Sequence, residues 1–400
     1  MSNPVLSSRV QAIKESPTLA ITAKAAQYKA EGRPIIGLAA GEPDFDTPQH
    51  IKDAAKAAID AGYTKYTPVS GIPTLKQAIV NKFKTENGFD YAINEVIVGV
   101  GGKQTIFNLC LAVLNAGDEV VIPAPYWVSY VDIAMVAEAV PIIVECGIEQ
   151  GFKLLPAQLA AAITSKTKIV MLNSPSNPTG AVYSLDELNA LGEVLLKHPH
   201  VLVATDDMYE HVNLTGEKFY NILNAAPALK DRCIVLNGVS KAYSMTGWRI
   251  GYAAGPAYII KAMEILQSQS TSNATSISQY AAEAALSGSQ DCIKPMVTAF
   301  KERHKYVVDR FNAMPGVSCL MAGGAFYAFP DARKAIASLH KAGKISAATD
   351  MAFAEYLLEK FDVAVVPGSA FGAEGYFRIS FATSMDNLRV ALDRIEKALS

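Results

Sequence analysis

From about residue 96 onward, short apolar runs alternate with stretches of helical periodicity, and this alternation restricts the fold more than any other feature of the chain. Val96-Ile97-Val98, Val120-Val121-Ile122, Lys168-Ile169-Val170-Met171-Leu172, Val201-Leu202-Val203-Ala204 and Cys233-Ile234-Val235-Leu236 are each too short for a helix, and a further strand is expected at 250–254. They lack the polar alternation of a half-exposed strand, so they suit a sheet covered on both faces. Between them, 103–114 places Ile106, Leu109, Cys110, Val113 and Leu114 on one helical face and stops at Asn115-Ala116-Gly117-Asp118. Another helix opens at Ser184 with Glu187 three residues on, a capping box, and turns Leu185, Leu188, Leu191 and Leu195 inward. The pattern predicts an α/β fold with a mostly parallel central sheet and helices on both faces.

The two ends of the chain behave differently. Residues 1–45 and 290–400 mix helices with short strands such as Ala325-Phe326-Tyr327-Ala328-Phe329 and Phe377-Arg378-Ile379-Ser380-Phe381, and the last helix repeats Leu388, Leu392, Ile395 and Leu399. The expectation is a smaller α+β domain built from both termini around a large domain spanning 46–289. The polar stretch Gln267–Asn273 could pass for a linker, but it lies between two helical patterns.

A chain of 400 residues can bury a large core. Its formal charge of −2 offers no basic field for nucleic acid or an anionic membrane. The cysteines at 110, 146, 233, 292 and 319 sit mostly in apolar runs, with neither metal-ligand spacing nor a disulfide framework, so buried free thiols in a reducing compartment are expected. The N-terminal residues show no apolar signal region, and no run reaches the roughly 20 apolar residues of a membrane span. The composition reads as that of a soluble, cytoplasmic protein.

Polar clusters follow four of the apolar runs, where ligands bind in open α/β sheets. They are Gly99-Val100-Gly101-Gly102-Lys103-Gln104, Asn173-Ser174-Pro175-Ser176-Asn177-Pro178-Thr179-Gly180, Asp206-Asp207-Met208-Tyr209-Glu210 and Ser240-Lys241-Ala242-Tyr243-Ser244-Met245-Thr246-Gly247-Trp248-Arg249. A lysine that ends a buried strand is desolvated, which lowers its pKa and suits it to act as a nucleophile. Arg249, with hydroxyls between it and Lys241, suits a phosphate. Gly101, Gly102 and Lys103 open a helix, where free amides and the helix dipole favour an anion. Adjacent residues on a strand face opposite sides, so only one of Asp206 and Asp207 can point at a bound ligand.

Four such clusters in this order resemble those of the class I aminotransferases, the fold-type I enzymes that use pyridoxal phosphate, and the resemblance spans nearly the whole chain. Ser16-Pro17-Thr18 and Gly41-Glu42-Pro43-Asp44-Phe45-Asp46-Thr47-Pro48 look like the bacterial aspartate aminotransferase subgroup Ib. The resemblance implies that Lys241 bonds the cofactor and shuttles the proton, that Asp206 pairs with the cofactor's ring nitrogen, and that Asn177 and Tyr209 bond its phenolic oxygen. It further implies that Trp127 stacks on the ring and that Gly101, Gly102, Lys103 and Arg249 hold the phosphate. Tyr66 is expected to reach the phosphate of a neighbouring subunit, which implies a homodimer with shared sites. For substrate, Arg378 would clamp the α-carboxylate near Gly41, Trp127 and Asn177, while Lys103, Thr18 and Lys14 would face the distal carboxylate. The implied reaction moves an amino group between L-aspartate and 2-oxoglutarate, with prephenate as a further acceptor.

Other readings account for less of the chain. A dinucleotide fingerprint beginning at Gly99 and Gly101 needs a third small residue where Gln104 stands, and leaves Lys241, Arg249 and Asp206 without a role. A lyase, decarboxylase or synthase on the same scaffold would share the cofactor residues, but the paired cations Arg378 and Lys103 favour a dicarboxylate. An aminotransferase preferring aromatic or other amino acids remains the alternative.

Overall fold

The computed structural model describes residues 5–13 and 17–400, with the side chains of 17–19 excepted. Lys14 and the Thr18 side chain, both expected near the substrate, therefore lie outside the described residues.

Strand β1 (Ile36–Gly37) stands apart from the central sheet. That sheet is made of β2 (Val96–Gly99), β3 (Glu119–Ala124), β4 (Val140–Glu145), β5 (Thr167–Asn173), β6 (Leu202–Asp206), β7 (Cys233–Gly238) and β8 (Gly251–Ala254). Its order is β2-β8-β7-β6-β5-β3-β4. Pairing is parallel except at β8, which runs antiparallel to both β2 and β7. The mostly parallel sheet is thus as expected, with β4 an additional edge strand. β4 is apolar in sequence but carries Pro141 and has no fully buried residue, as an edge strand can.

Period-two geometry sends neighbouring residues of each strand into different cores. Val98, Val121, Val170, Val203 and Val235 enter one. Ile97, Ile122, Ile169, Ala204 and Ile234 enter the other, against Ile106, Leu109, Ile259 and Met263 of the covering helices. The first covering helix runs Gly102–Val113, one residue ahead of its expected start. The capping box at Ser184 forms as expected and opens Leu185–Leu196, although Leu185 itself stays half-buried. Residues 267–270 finish the helix Ala257–Ser270 rather than forming a linker. Gln267 is fully buried there, donating to the carbonyls of Val69 and Val98 and accepting from Asn108.

Beyond the central sheet lie β9 (Tyr327–Ala328), β10 (Val363–Ala364), β11 (Val366–Pro367) and β12 (Phe377–Ser380). They form a three-stranded sheet, β11-β12-β9, and a pair in which β1 lies parallel to β10. Residues 36–37 are thereby joined to 363–364, uniting segments from opposite ends of the chain. Of the cysteines only Cys292 is not fully buried, and all five are free thiols. No helix among the described residues is long and apolar enough to cross a membrane.

Gly99, Gly251 and Gly238 lie side by side at one edge of the sheet. A Cβ on Gly251 would run into the backbone of Gly101 and Gly102, so this glycine lets the helix Gly102–Val113 start directly against the sheet. Gly251→Ala should therefore lower stability by about 2–3 kcal/mol in chemical denaturation, as overpacking against backbone does. Gly37→Ala, whose Cβ meets nothing within 4 Å, should change it by less than about 1 kcal/mol.

Candidate active site

The ends of the strands converge on a cavity of about 840 Å³. β2 leads into Gly102 and Lys103, β3 into Trp127 and Tyr130, β5 into Asn177, β6 into Asp206 and Tyr209, and β7 into Lys241 and Arg249. The terminal segments close the other side with Ala39, Gly41, Tyr327, Phe371 and Arg378. Those among them that were expected to bind cofactor or substrate thus line one space. Gly101 adjoins it, whereas Tyr66 is 93% exposed and lies on the outer surface of its own chain.

Lys241 is only partly exposed, and its Nζ donates to the Gly41 carbonyl at 2.6 Å. Burial brings its pKa down to about 8, and the Arg378 guanidinium pushes the same way against the opposing pull of Glu42. A neutral amine is thus accessible near physiological pH, the property a nucleophilic lysine requires. Gly41 takes part through its carbonyl, facing the amine.

Asp206 is buried at the end of β6 and its two oxygens have separate partners. Tyr130 donates its hydroxyl to Oδ2 at 2.6 Å, and the Met208 amide donates to Oδ1 at 3.2 Å. Burial raises the carboxyl pKa; Tyr130, the Met208 amide and Lys241 pull it back. Asp207 faces away, bonded by Asn221 at 2.7 Å and Thr205 at 2.6 Å, and it does not line the cavity. The alternation of side chains along the backbone separates the two acids, and Asp206 is the one that faces inward.

Arg378 is buried on β12. It donates from Nη1 to Asn177 Oδ1 at 2.9 Å and from Nη2 to the Ala39 carbonyl at 2.7 Å. Its guanidinium lies over the rings of Tyr327 and Phe371, and its Nε is buried with no hydrogen-bond partner among the described residues. A buried, unsatisfied N–H of a charged group is costly, so the other contacts of this guanidinium must offset that cost. Tyr209 and Tyr327 share a hydrogen bond at 2.8 Å between their hydroxyls.

Arg249 has a left-handed backbone and packs its guanidinium on Gly101, itself at φ +81, where a Cβ would collide with it. Next to it begins the helix Gly102–Val113, whose first amides have no intrahelical acceptor. Lys103 is exposed to the cavity, with Nζ 5.1 Å from the Trp127 ring centre; burial of its stem and the neighbouring Arg249 lower its pKa.

Tyr130, Tyr327 and Ala39 were not anticipated from the sequence. Tyr130 carried a usable signal, one helical turn after Trp127 in a segment already suspected of touching the ligand. Tyr327 lay in a strand recognised only as a structural element. Ala39 acts through its carbonyl, which side-chain identity does not announce.

A seven-stranded sheet of this order, with a buried acid, amine and guanidinium at one edge, places the chain among α/β enzymes that work on small charged molecules. Sequence and structure comparisons sharpen this. The family model described as aminotransferase class I and II matches residues 33–395. An aspartate/prephenate aminotransferase of Nitrosomonas europaea is 61% identical over 395 residues, covering 99% of this chain and all of that protein. The crystal structure of an aspartate aminotransferase from Rhizobium meliloti superposes with a TM-score of 0.94 at 49% identity, covering 99% of each chain. An aspartate aminotransferase from Thermus thermophilus with maleate gives 0.92 at 41% identity, covering both chains in full. The chain belongs to the class I and II aminotransferases, a family dependent on pyridoxal phosphate.

The state of Lys241 can be read chemically. In cofactor-free protein, labelling of Lys241 by an amine-reactive reagent, followed by peptide mass spectrometry, should rise with pH through a midpoint near 8, because only the neutral amine reacts. A midpoint above 10 would remove this lysine from the reactive role.

Proposed function

We propose that this chain is an aspartate aminotransferase that uses pyridoxal phosphate and exchanges an amino group between L-aspartate and 2-oxoglutarate, giving oxaloacetate and L-glutamate. The observation that carries the reading is the convergence of Lys241, Asp206 and Arg378 on one cavity from three distant parts of the chain. The names of its relatives and the maleate of the Thermus thermophilus structure, itself a dicarboxylate, support the substrate class.

Several features suit the cofactor. The glycine cradle beside Arg249 and the first turn of Gly102–Val113 suit its phosphate. A buried carboxylate with a raised pKa suits a cationic ring nitrogen, whose charge would hold Asp206 ionised. Trp127 would cover one ring face. Asn177 keeps its amide N–H groups as donors after its oxygen accepts from Arg378, and with Tyr209 would hold the phenolic oxygen. When bound, pyridoxal phosphate supplies a protonated heterocycle that accepts the charge developing at the substrate α-carbon.

The remaining chemistry belongs to the protein. Tyr130 fixes the orientation of the Asp206 carboxylate, so the acid need not reorganise during the reaction. Lys241, neutral for part of the time at working pH, can take the proton from the α-carbon of the amino donor and, in the second half of the exchange, deliver one to the α-carbon of the oxo-acid acceptor. The Arg378 guanidinium at the cavity wall would clamp the α-carboxylate, and the surrounding rings of Tyr327 and Phe371 would keep water from it. Lys103 would meet the distal carboxylate, joined by Thr18 and Lys14.

The same reading includes a homodimer, because Tyr66 is far too exposed to act in its own cavity and would reach the phosphate site of a second subunit. It also includes a large cofactor-binding domain over 46–289, a small domain from 1–45 and 290–400, and a cytoplasmic location. Prephenate would be a second acceptor, supported by the name of the Nitrosomonas europaea relative.

A panel of amino donors with 2-oxoglutarate tests the substrate class, and glutamate with oxaloacetate or prephenate tests the reverse direction. Arg378→Leu should raise KM for every amino acid by about 10- to 100-fold, the loss of a charge-assisted contact. Lys103→Ala should cut kcat/KM for aspartate by about fivefold and leave phenylalanine nearly unchanged, as loss of a partly solvated ion pair does. Equal losses on both donors would take Lys103 out of the distal site.

A further inference from the structure

Outside the cavity lining lies a buried group of charged and amide side chains that none of the roles above employs. Glu210 is at its centre, one residue past Tyr209 on the turn after β6, and is paired with the buried Lys82 ammonium at the end of helix Pro73–Lys82. Its Oε1 accepts from Asn237 Nδ2 at 2.9 Å, and its Oε2 accepts from Asn87 Nδ2 at 3.0 Å. Lys82 donates in turn to Asn87 Oδ1 at 2.8 Å. Burial alone would raise the Glu210 carboxyl, but Lys82 and His211 bring it down to about 2.

Glu210 follows Asp206 by one turn of chain, and Asn237 lies near the end of β7, on the segment that leads to Lys241. We propose that Glu210 is a positioning residue: locked by Lys82, it ties the segment bearing Asp206 and Tyr209 to the segment bearing Lys241, and so holds the cavity's acid, phenol and amine in register and away from water. The proposal rests on the reading of Lys241 as the reactive amine.

The geometry favours this over a purely local ion pair. Two buried charges are expensive to desolvate, and the pair is stable only with its remaining hydrogen bonds satisfied. Here those bonds do not close on one element. One oxygen reaches the segment before Lys241 and the other reaches Asn87, whose carbonyl accepts from Asn224 at 2.9 Å. The carboxylate therefore acts as a rigid, acceptor-only pin between elements far apart in sequence. His211 and Glu86, hydrogen-bonded at 2.9 Å, border the pin, and Asp207 lies close enough that Glu210 raises its pKa. The groups that face Lys241 itself are Arg378, Arg249, Glu42 and Asp206, with the rings of Tyr209 and Phe326.

If the pin holds the amine in its dry position, loosening it admits water and moves the Lys241 pKa up. Glu210→Gln removes the charge with the shape nearly kept, and Asn237→Ala removes only the link between the two segments. Labelling of Lys241 in cofactor-free protein should then move its midpoint up by about one pH unit in each variant, a roughly tenfold loss of neutral amine at fixed pH. In loaded enzyme kcat should fall about tenfold with KM changed less than about threefold, the pattern of a lost transition-state arrangement. Should Glu210→Gln not fold, Asn237→Ala decides the matter. A wild-type midpoint near the ordinary 10.5 overturns the amine assignment and the proposal with it. A lowered wild-type midpoint that persists in a folded variant, whatever its melting temperature, overturns the proposal alone.

Discussion

Withdrawing the Lys241 ammonium from water beside two guanidinium groups is the constraint on which the rest of the structure depends. Desolvation and the Arg378 and Arg249 charges all act against the protonated form, while Glu42 and Asp206 act for it. No local segment could create that balance, because a lysine on a short loop would turn its amine into solvent. The environment is assembled instead from the end of β7, the turn at Gly41 and the strand β12. The parallel sheet is what makes this possible, since it delivers the ends of several strands to one edge. Segments from both ends of the chain then close over that edge.

The adjacent acids Asp206 and Asp207 show how the same residue type takes two roles through position alone. Asp206 faces the cavity with a tyrosine hydroxyl and a backbone amide to orient it. Asp207 faces the opposite side, where burial and Glu210 push its pKa to about 7 and Asn221 and Thr205 satisfy it. Glu210, close by, is held down to about 2 because the buried Lys82 ammonium is paired with it directly. Desolvation is common to the three carboxyls, but direct pairing carries Glu210 below its ordinary range while Asp206 and Asp207 stay above theirs.

Much of this was legible in the sequence because the signals were local. Buried strands read as unbroken apolar runs, the capping box at Ser184 announced its helix, and the polar clusters after β2, β5, β6 and β7 fell where ligands gather. Lys241, Asp206, Asn177 and Arg249 could be singled out for that reason. The partnerships could not. That Tyr130 would hold Asp206, that Arg378 would lean on Asn177 and the Ala39 carbonyl, and that Glu210 would reach Asn237 all depend on long-range closure. β4 escaped notice for a different reason: its run Val140-Pro141-Ile142-Ile143-Val144 is apolar, but the proline inside it argues against a central strand and fits the edge position the strand takes.

The two cations expected to face the substrate's carboxylates also differ in kind, and this bears on selectivity. Arg378 is buried, hydrogen-bonded and flanked by rings, so in the proposed role its hold on an α-carboxylate would be strong and common to every amino acid. Lys103 is partly solvated, and an exposed ammonium contributes only about 1 kcal/mol to an ion pair. Preference for a second carboxylate is then limited to roughly fivefold from this contact. The same cavity has apolar wall from Ile13, Phe107, Ile133 and Val136, which would favour a ring in place of a second charge. A weak distal cation beside an apolar wall is the arrangement expected of an enzyme that handles aspartate without excluding a bulkier cyclic dicarboxylate. A second buried arginine in place of Lys103 would instead narrow the choice.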